Sequence, residues 1–154
     1  MPGSHVHDTL TATVLLWAFH ITLTKEPNML SKSRLQTIVL TSNIREAEDF
    51  YRDVLELAVK ERSHGAVVFD VGGGDLRVSP VQSTRPSEHT VLGFAVDNVD
   101  KAIGFLHGKG IAMERFDSFP HEQNGVLITP DGARVAWFRD PDGNLLSLVQ
   151  FDNA

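Results

Sequence analysis

Residues 39–50 read VLTSNIREAEDF, and residues 94–105 read FAVDNVDKAIGF. The second stretch is a recognisable copy of the first, 55 positions on: Asn43 falls on Asn98, Ile44 on Val99, Ala47 on Ala102 and Phe50 on Phe105. Each copy opens on apolar, strand-favouring residues, then places Asn where a side-chain oxygen caps a helix. Apolar residues at three- and four-residue spacing follow, which is one buried helix face. A strand-then-helix unit used twice predicts two similar half-sheets. Facing each other, they would form a shared concave surface, and that surface is where a ligand is expected.

The flanking sequence extends each copy to the same plan. Residues 35–41 read as a first strand. Asn43 caps the first helix, with Glu46 in capping-box spacing. Residues 58–62 and 66–71 are strands, Gly72-Gly73-Gly74 is a tight turn, and residues 75–80 return. Residues 82–89 (QSTRPSEH) form a polar linker. In the second copy, residues 91–96 open, a helix capped at Asp97 or Asn98 follows, and Gly108 and Gly110 end it. Residues 111–115 (IAMER) read as a strand echoing residues 57–62. Residues 126–129 and 133–139 read as a hairpin around Pro130-Asp131-Gly132. Asp140-Pro141-Asp142-Gly143 is a turn, and residues 145–151 are the last strand. Two β-α-β-β-β modules predict an α+β domain in which each sheet gives one face to its helix and the other to the partner module.

Composition narrows the function classes. The chain has 154 residues, 42% of them hydrophobic and 22% charged, no cysteine and a net charge of −6. A domain of this size buries roughly 70% of its unfolded surface and needs no covalent staple. Without cysteine there is no disulfide, no thiolate metal site and no thiol nucleophile. That composition suits a cytoplasmic protein. The negative charge argues against nucleic acid and anionic membranes as partners. The most apolar stretch, residues 10–23 (LTATVLLWAFHITL), is shorter than the ~20 residues a spanning helix needs. The residues before it carry no Lys or Arg, so it is also a poor secretory signal. Residues 1–34 therefore read as an extension to a single domain at 35–154, with modules at 35–80 and 91–151. The extension is either an additional strand or the product of an early start, with Met29 the natural beginning.

Three segments carry a resemblance. Residues 36–43 leading to Phe50-Tyr51 and Val54-Leu55, residues 94–100 (FAVDNVD) and residues 138–144 (FRDPDGN) resemble, in order, the vicinal oxygen chelate superfamily. That group includes glyoxalase I, extradiol dioxygenases, fosfomycin-resistance proteins and bleomycin-binding proteins. The likeness spans the whole duplicated frame and implies its fold, two modules forming a concave sheet pocket. It leaves activity to be argued from the site.

The resemblance also implies where a metal enzyme of this kind would place its ligands: Gln36, Arg77, Val91 and Ser147. Divalent metals prefer imidazole nitrogen or carboxylate oxygen in such sites. Gln36 could serve through its amide oxygen, as in glyoxalase I. Val91 has no donor, Ser147 is a poor neutral ligand, and the fixed charge of Arg77 repels a cation. The expectation is that the metal site is absent and no cofactor is needed. A rearranged set of Gln36, His89 and Glu122 is the one alternative for a divalent metal. By strand alternation Gln36, Ile38 and Leu40 share a face with Arg77, Ser79, Val91, Gly93, Ala95, Ser147 and Val149. That face is mostly apolar with sparse polar anchors, the chemistry of a small-molecule pocket. Gln36, Ile38, Arg77, Val91, Trp137 and Ser147 are its expected ligand contacts. Arg77 would hold a carboxylate or phosphate in a bidentate fork, and Trp137 and Phe138 are candidates for an aromatic wall. Tyr51 belongs to the core and Asp140 and Asp142 to their turn.

Three functions remain open. The leading one is a metal-free protein that binds a small organic, anion-bearing molecule. The second is a metal-dependent glyoxalase-like lyase or dioxygenase, polarising a substrate oxygen with an altered ligand set. The third is a drug-sequestering protein of the bleomycin-resistance kind. A twofold homodimer is the default assembly.

Overall fold

The computed structural model describes residues 29–152. Expectations for residues 1–28, including the apolar stretch 10–23, lie outside the described residues. Met29–Lys32 is a single 3-10 turn, and the residues from Arg34 on form one unit. No helix among the described residues is long and apolar enough to cross a membrane.

The first module runs β1 (Gln36–Thr41), α1 (Ile44–Asp49), β2 (Ala58–Ser63), β3 (Ala66–Val71) and β4 (Gly74–Pro80). The second runs β5 (Thr90–Ala95), α2 (Val99–Gly108), β6 (Leu127–Ile128), β7 (Arg134–Arg139) and β8 (Leu145–Gln150). The two sheets repeat one topology, β1-β4-β3-β2 and β5-β8-β7-β6, with the first pair parallel in each. The caps work as the sequence predicts: Asn43 and Asn98 each accept from the backbone N–H three residues on. Gly110, at φ +81°, ends the second helix in the left-handed region that glycine tolerates.

Two expectations change. The helix opened at Asn43 does not stay α-helical: Phe50–Val54 form a π-helical turn. The wider turn admits the successive rings of Phe50 and Tyr51 to the core together, edge to face with centroids 5.2 Å apart. The second change is at residues 111–115. Instead of a strand, that segment makes one isolated bridge, Glu114 to Trp137. Beyond it, hydrogen bonds from Arg115 to the carbonyls of Glu122 and Gln123 hold the chain in a loop rather than along β7.

The modules also meet differently from the expected face-to-face arrangement. Val39, Phe69, Leu76 and Val78 of the first sheet and Ala136, Phe138, Leu146 and Leu148 of the second belong to one continuous core with Tyr51 and Ile103. These are the helix-side residues of both sheets, so the helix faces merge; the opposite, more open faces expose Ile38 and Leu40 and bury Val68 and Ser147. Burying large aliphatic and aromatic side chains drives this choice, at ~25 cal/mol per Å² of apolar surface; Gln36 and Arg77 point to the other side. The terminal turn locks the arrangement. Tyr51 Oη donates to Asp140 Oδ2 at 2.9 Å, and Asp140 also accepts from the backbone N–H and side-chain amide of Asn144. Asn144 Nδ2 reaches back to the Leu40 carbonyl at 3.2 Å, and Asp142 accepts from the Ser42 N–H and hydroxyl, both at 2.8 Å. Burial, and then the Asp140 carboxylate beside it, push the Tyr51 hydroxyl far above the usual phenol range. Tyr51 is therefore core, and Asp140 and Asp142 belong to their turn, as expected; the turn also clamps one module to the other.

Candidate functional site

Strand alternation sorts the open face into rows. On the first sheet, Ile38, Arg77 and Val68 stand opposite one another, and Gln36 pairs in register with Asp75. On the second, Gly93, Ser147 and Trp137 form a row, continued by the bridge to Glu114. All six expected contact residues, Gln36, Ile38, Arg77, Val91, Trp137 and Ser147, lie on strands whose open faces carry these rows.

They are not gathered into one cavity. Ile38 and Val91 share a hollow of about 220 Å³ where β1 and β5 adjoin, with Leu40, Arg85 and Asn144. Trp137 lines a different hollow of about 340 Å³, with Phe116, Phe119, Leu127, Val135 and Leu145. Neither hollow is lined by Gln36, Arg77 or Ser147. Ser147 is 5% exposed, enclosed between its register partners. A Cβ on Gly93 would come within 3.0 Å of its Oγ, so glycine there admits the hydroxyl rather than widening a pocket. Phe138 is fully buried and Trp137 is not, which divides the two aromatics between core and wall.

Arg77 is half-buried, and among the described residues its guanidinium makes no ion pair or hydrogen bond. The acid nearest in sequence is already committed: Asp75 accepts from Lys60 at 2.8 Å and from Arg34 at 2.5 Å. Those two cations hold the Asp75 carboxyl below its ordinary range, the hydrogen bond from Lys60 most. Exposed apolar residues surround this part of the face, Ile38 at 57% and Leu40 at 44%. A partly desolvated cation among apolar side chains is a place where an anion gains most from a charge-assisted contact.

The residues do not suit a metal. The positions implied by the resemblance offer one amide oxygen, one hydroxyl, one hydrocarbon and one guanidinium. The alternative set is not brought together either. Glu122 pairs with Arg134 at 3.1 Å, and Arg134 also pairs with Asp100 of α2, on the helix side of the sheet. Gln36 stands on the open side. His89 is exposed in the linker, where its backbone N–H bonds Ser87 Oγ. Among the described residues no group of three His, Asp or Glu side chains is placed to hold a metal ion.

Sequence reasoning missed the loop that builds the larger hollow. Phe116 and Phe119 pack edge-on with centroids 6.4 Å apart, and Phe116 meets Trp137 at 5.6 Å. His121 fixes the loop rather than lying solvated: its Nδ1 bonds the Gly125 carbonyl at 2.9 Å, and its Nε2 accepts from the Phe116 N–H at 3.0 Å. These partners assign the single ring proton to Nδ1. Gly125 sits at φ +91°, and a Cβ there would lie 2.9 Å from Met113 Cβ, so only glycine closes the loop. The available signal was two phenylalanines three residues apart in a polar, proline-containing loop, where apolar rings have no reason to be unless they cover something.

The fold agrees with comparisons to known proteins. The chain is similar to the uncharacterised protein YraH of Bacillus subtilis (strain 168), 28% identical over 75% of this chain and 96% of that one. Its fold is similar to that of a lactoylglutathione lyase from Agrobacterium tumefaciens, with a TM-score of 0.61 at 21% identity, covering 77% of this chain and 93% of the other. It is also similar to a glyoxalase/bleomycin resistance protein/dioxygenase from Alicyclobacillus acidocaldarius, with a TM-score of 0.58 at 18% identity over 79% and 93%. Residues 34–148 match the family model of the Glyoxalase/Bleomycin resistance protein/Dioxygenase superfamily, and the chain belongs to that superfamily.

Proposed function

We propose that this protein binds a small organic molecule on the open face of its sheets, without a metal. The observation that carries the reading is Arg77, a half-buried guanidinium with no partner among the described residues, set between Ile38 and Val68. An uncompensated cation at such a position is costly, and an anionic group of the ligand would relieve that cost. Gln36, Ile38 and Val91 supply neighbouring contacts, while Trp137 and the row through Ser147 belong to the second module's share of the face. The exposed apolar side chains Ile38, Leu40 and Val91 also favour cover from a second copy, so a homodimer is part of the proposal. The negative charge of the chain and its lack of cysteine support a cytoplasmic protein with no nucleic acid or membrane partner.

A thermal-shift screen of small carboxylates and phosphates tests this. A ligand at 100 times its Kd adds ~2.7 kcal/mol to stability. The expected result is a set of anionic hits whose shifts survive a chelator and shrink in Arg77→Ala. Stoichiometric bound metal lost on Gln36→Ala would instead support a lyase or dioxygenase. Tight binding of an antibiotic without turnover would support sequestration. Hits indifferent to Arg77→Ala would remove the anchor from the proposal.

A further inference from the structure

The hollow beside Trp137 has a chemistry of its own. Three aromatic rings, Phe116, Phe119 and Trp137, line it together with Leu127, Val135 and Leu145. At about 340 Å³ it lies at the small end of the ~300–1,000 Å³ range of organic ligand pockets. Its rings are set nearly at right angles: Phe116 to Trp137 at 79°, Phe116 to Phe119 at 87°.

Its polar groups are nearly all spent. Trp137 Nε1 donates to Thr90 Oγ1 at 3.0 Å, and the single hydroxyl proton of Thr129 is taken by Asp131 Oδ1 at 2.5 Å, with the Ala133 carbonyl 3.1 Å away as a second acceptor. Both ring nitrogens of His121, behind the rings, are bonded to backbone. The Arg115 guanidinium is used on the carbonyls of His121, Glu122 and Gln123. Glu114, whose backbone bridges Trp137, pairs with Arg139 at 3.4 Å. One ionic group of the lining remains. Glu88 is exposed at the mouth and has no ion pair among the described residues. Among the described residues no cationic side chain lines the hollow.

We infer that the Phe116–Phe119–Trp137 hollow, with Glu88 at its mouth, is a subsite for a flat aromatic cation. The inference rests on reading the open face as a small-molecule surface and specifies the chemistry of its second-module half. Ring faces are electron-rich and attract a cation, while an acceptor-bearing ligand finds no free donor. An anion would meet Glu88 and nothing to balance it. The ring walls and the hydrocarbon floor of Leu127, Val135 and Leu145 suit a flat, largely apolar body. This chemistry is the reverse of that at Arg77.

The test uses the full chain carrying Trp17→Phe, so that Trp137 is the remaining tryptophan and reports its own site by fluorescence. The probes are N-methylquinolinium, its neutral isostere 1-methylnaphthalene, and 1-naphthoate. The expected result is saturable quenching by the cation with at least about tenfold tighter binding than the neutral isostere. Glu88→Gln, an exposed substitution, should cut that preference by about fivefold, and Phe119→Leu should weaken the cation by a similar factor. Equal affinity for the neutral probe, tighter binding of 1-naphthoate at Trp137, no cation binding at millimolar concentration, or indifference to both substitutions would overturn the inference. If the cation fails while 1-naphthoate binds and is lost in Arg77→Ala, the subsite is wrong and the proposed function stands. If the cation binds and no Arg77-dependent ligand is found, the reverse holds.

Discussion

The two modules share a backbone plan and differ at one edge. In the first, β2 is six residues long and completes a four-stranded sheet, leaving an open face that carries Gln36, Ile38 and Arg77. In the second, the corresponding strand is reduced to the two residues of β6, and the freed chain becomes the loop through Phe116, Phe119 and His121. That loop lines the hollow beside Trp137, where Val135 and Leu145 are buried, whereas the edge of the first sheet's open face leaves Ile38 and Leu40 exposed and buries only Val68 and Ala66 further in. Duplication thus supplies the frame, and losing one strand from one copy supplies a cavity. The helix sides of both modules fill one continuous core.

The contrast can be broken most forcefully at the clamp both modules share. Asp140→Ala removes the acceptor for Tyr51 and for two Asn144 donors inside a buried network. It should cost about 3 kcal/mol and still leave a single cooperative transition in urea denaturation, because the modules share a core. Tyr51→Phe, losing one of those bonds, should cost about 1–2 kcal/mol. Two separated unfolding transitions in the unsubstituted protein would show that the modules are independent instead.

Next comes the loop that distinguishes the second module. Gly125→Ala adds a Cβ 2.9 Å from Met113 at φ +91°. It should destabilise the protein by about 1–3 kcal/mol and alter Trp137 emission, whereas Gly73→Ala, at a similar φ of +87° but with open space around it, carries the backbone strain without the clash and should cost less. Equal costs would mean the loop is not held as tightly as its hydrogen bonds imply.

Smaller still is Arg77→Ala. With no partner to lose among the described residues, it should change stability by less than about 0.5 kcal/mol in thermal unfolding while weakening anionic ligands about tenfold. A large loss of stability would show that Arg77 is structural. The smallest effect is expected at the helix side, where Arg134 joins Asp100 to Glu122. The Arg134 hydrogen bond holds the Asp100 carboxyl below its ordinary value. A lowered carboxyl contributes stability above the unfolded-state value near pH 4, and loses that contribution as pH falls through its folded value. Arg134→Gln should therefore destabilise by under about 0.5 kcal/mol at neutral pH, the pair being partly exposed, with no ligand effect, and the difference should vanish at low pH.

Much of the fold was legible because local chemistry and the repeat agree. The Asn43 and Asn98 caps, the glycine turn at 72–74 and the alternation along β1 and β4 each specify local structure without help from distant residues. Residues 111–115 misled because IAMER alternates like a strand, while the bonds that turn the chain away come from Arg115 to carbonyls six to eight residues later. The π-helical turn is likewise a tertiary choice, made by a core that accepts both Phe50 and Tyr51. At the site, alternation grouped Gln36, Ile38 and Leu40 with Arg77 and Ser79 on one face, which is the side away from the helix rather than one turned toward the partner module. It could not show that the face divides into separate hollows, since that depends on a loop whose only sequence sign is Phe116 and Phe119 beside Pro120.

The most direct test of the open face as the binding surface is a nitrogen-15 chemical-shift titration with an anionic hit, run in the presence of a chelator. The expected result is perturbation concentrated at Ile38, Arg77 and Val91, with α1 and α2 little affected and the chelator without influence. Perturbations confined to the helix side, or binding abolished by the chelator, would contradict it.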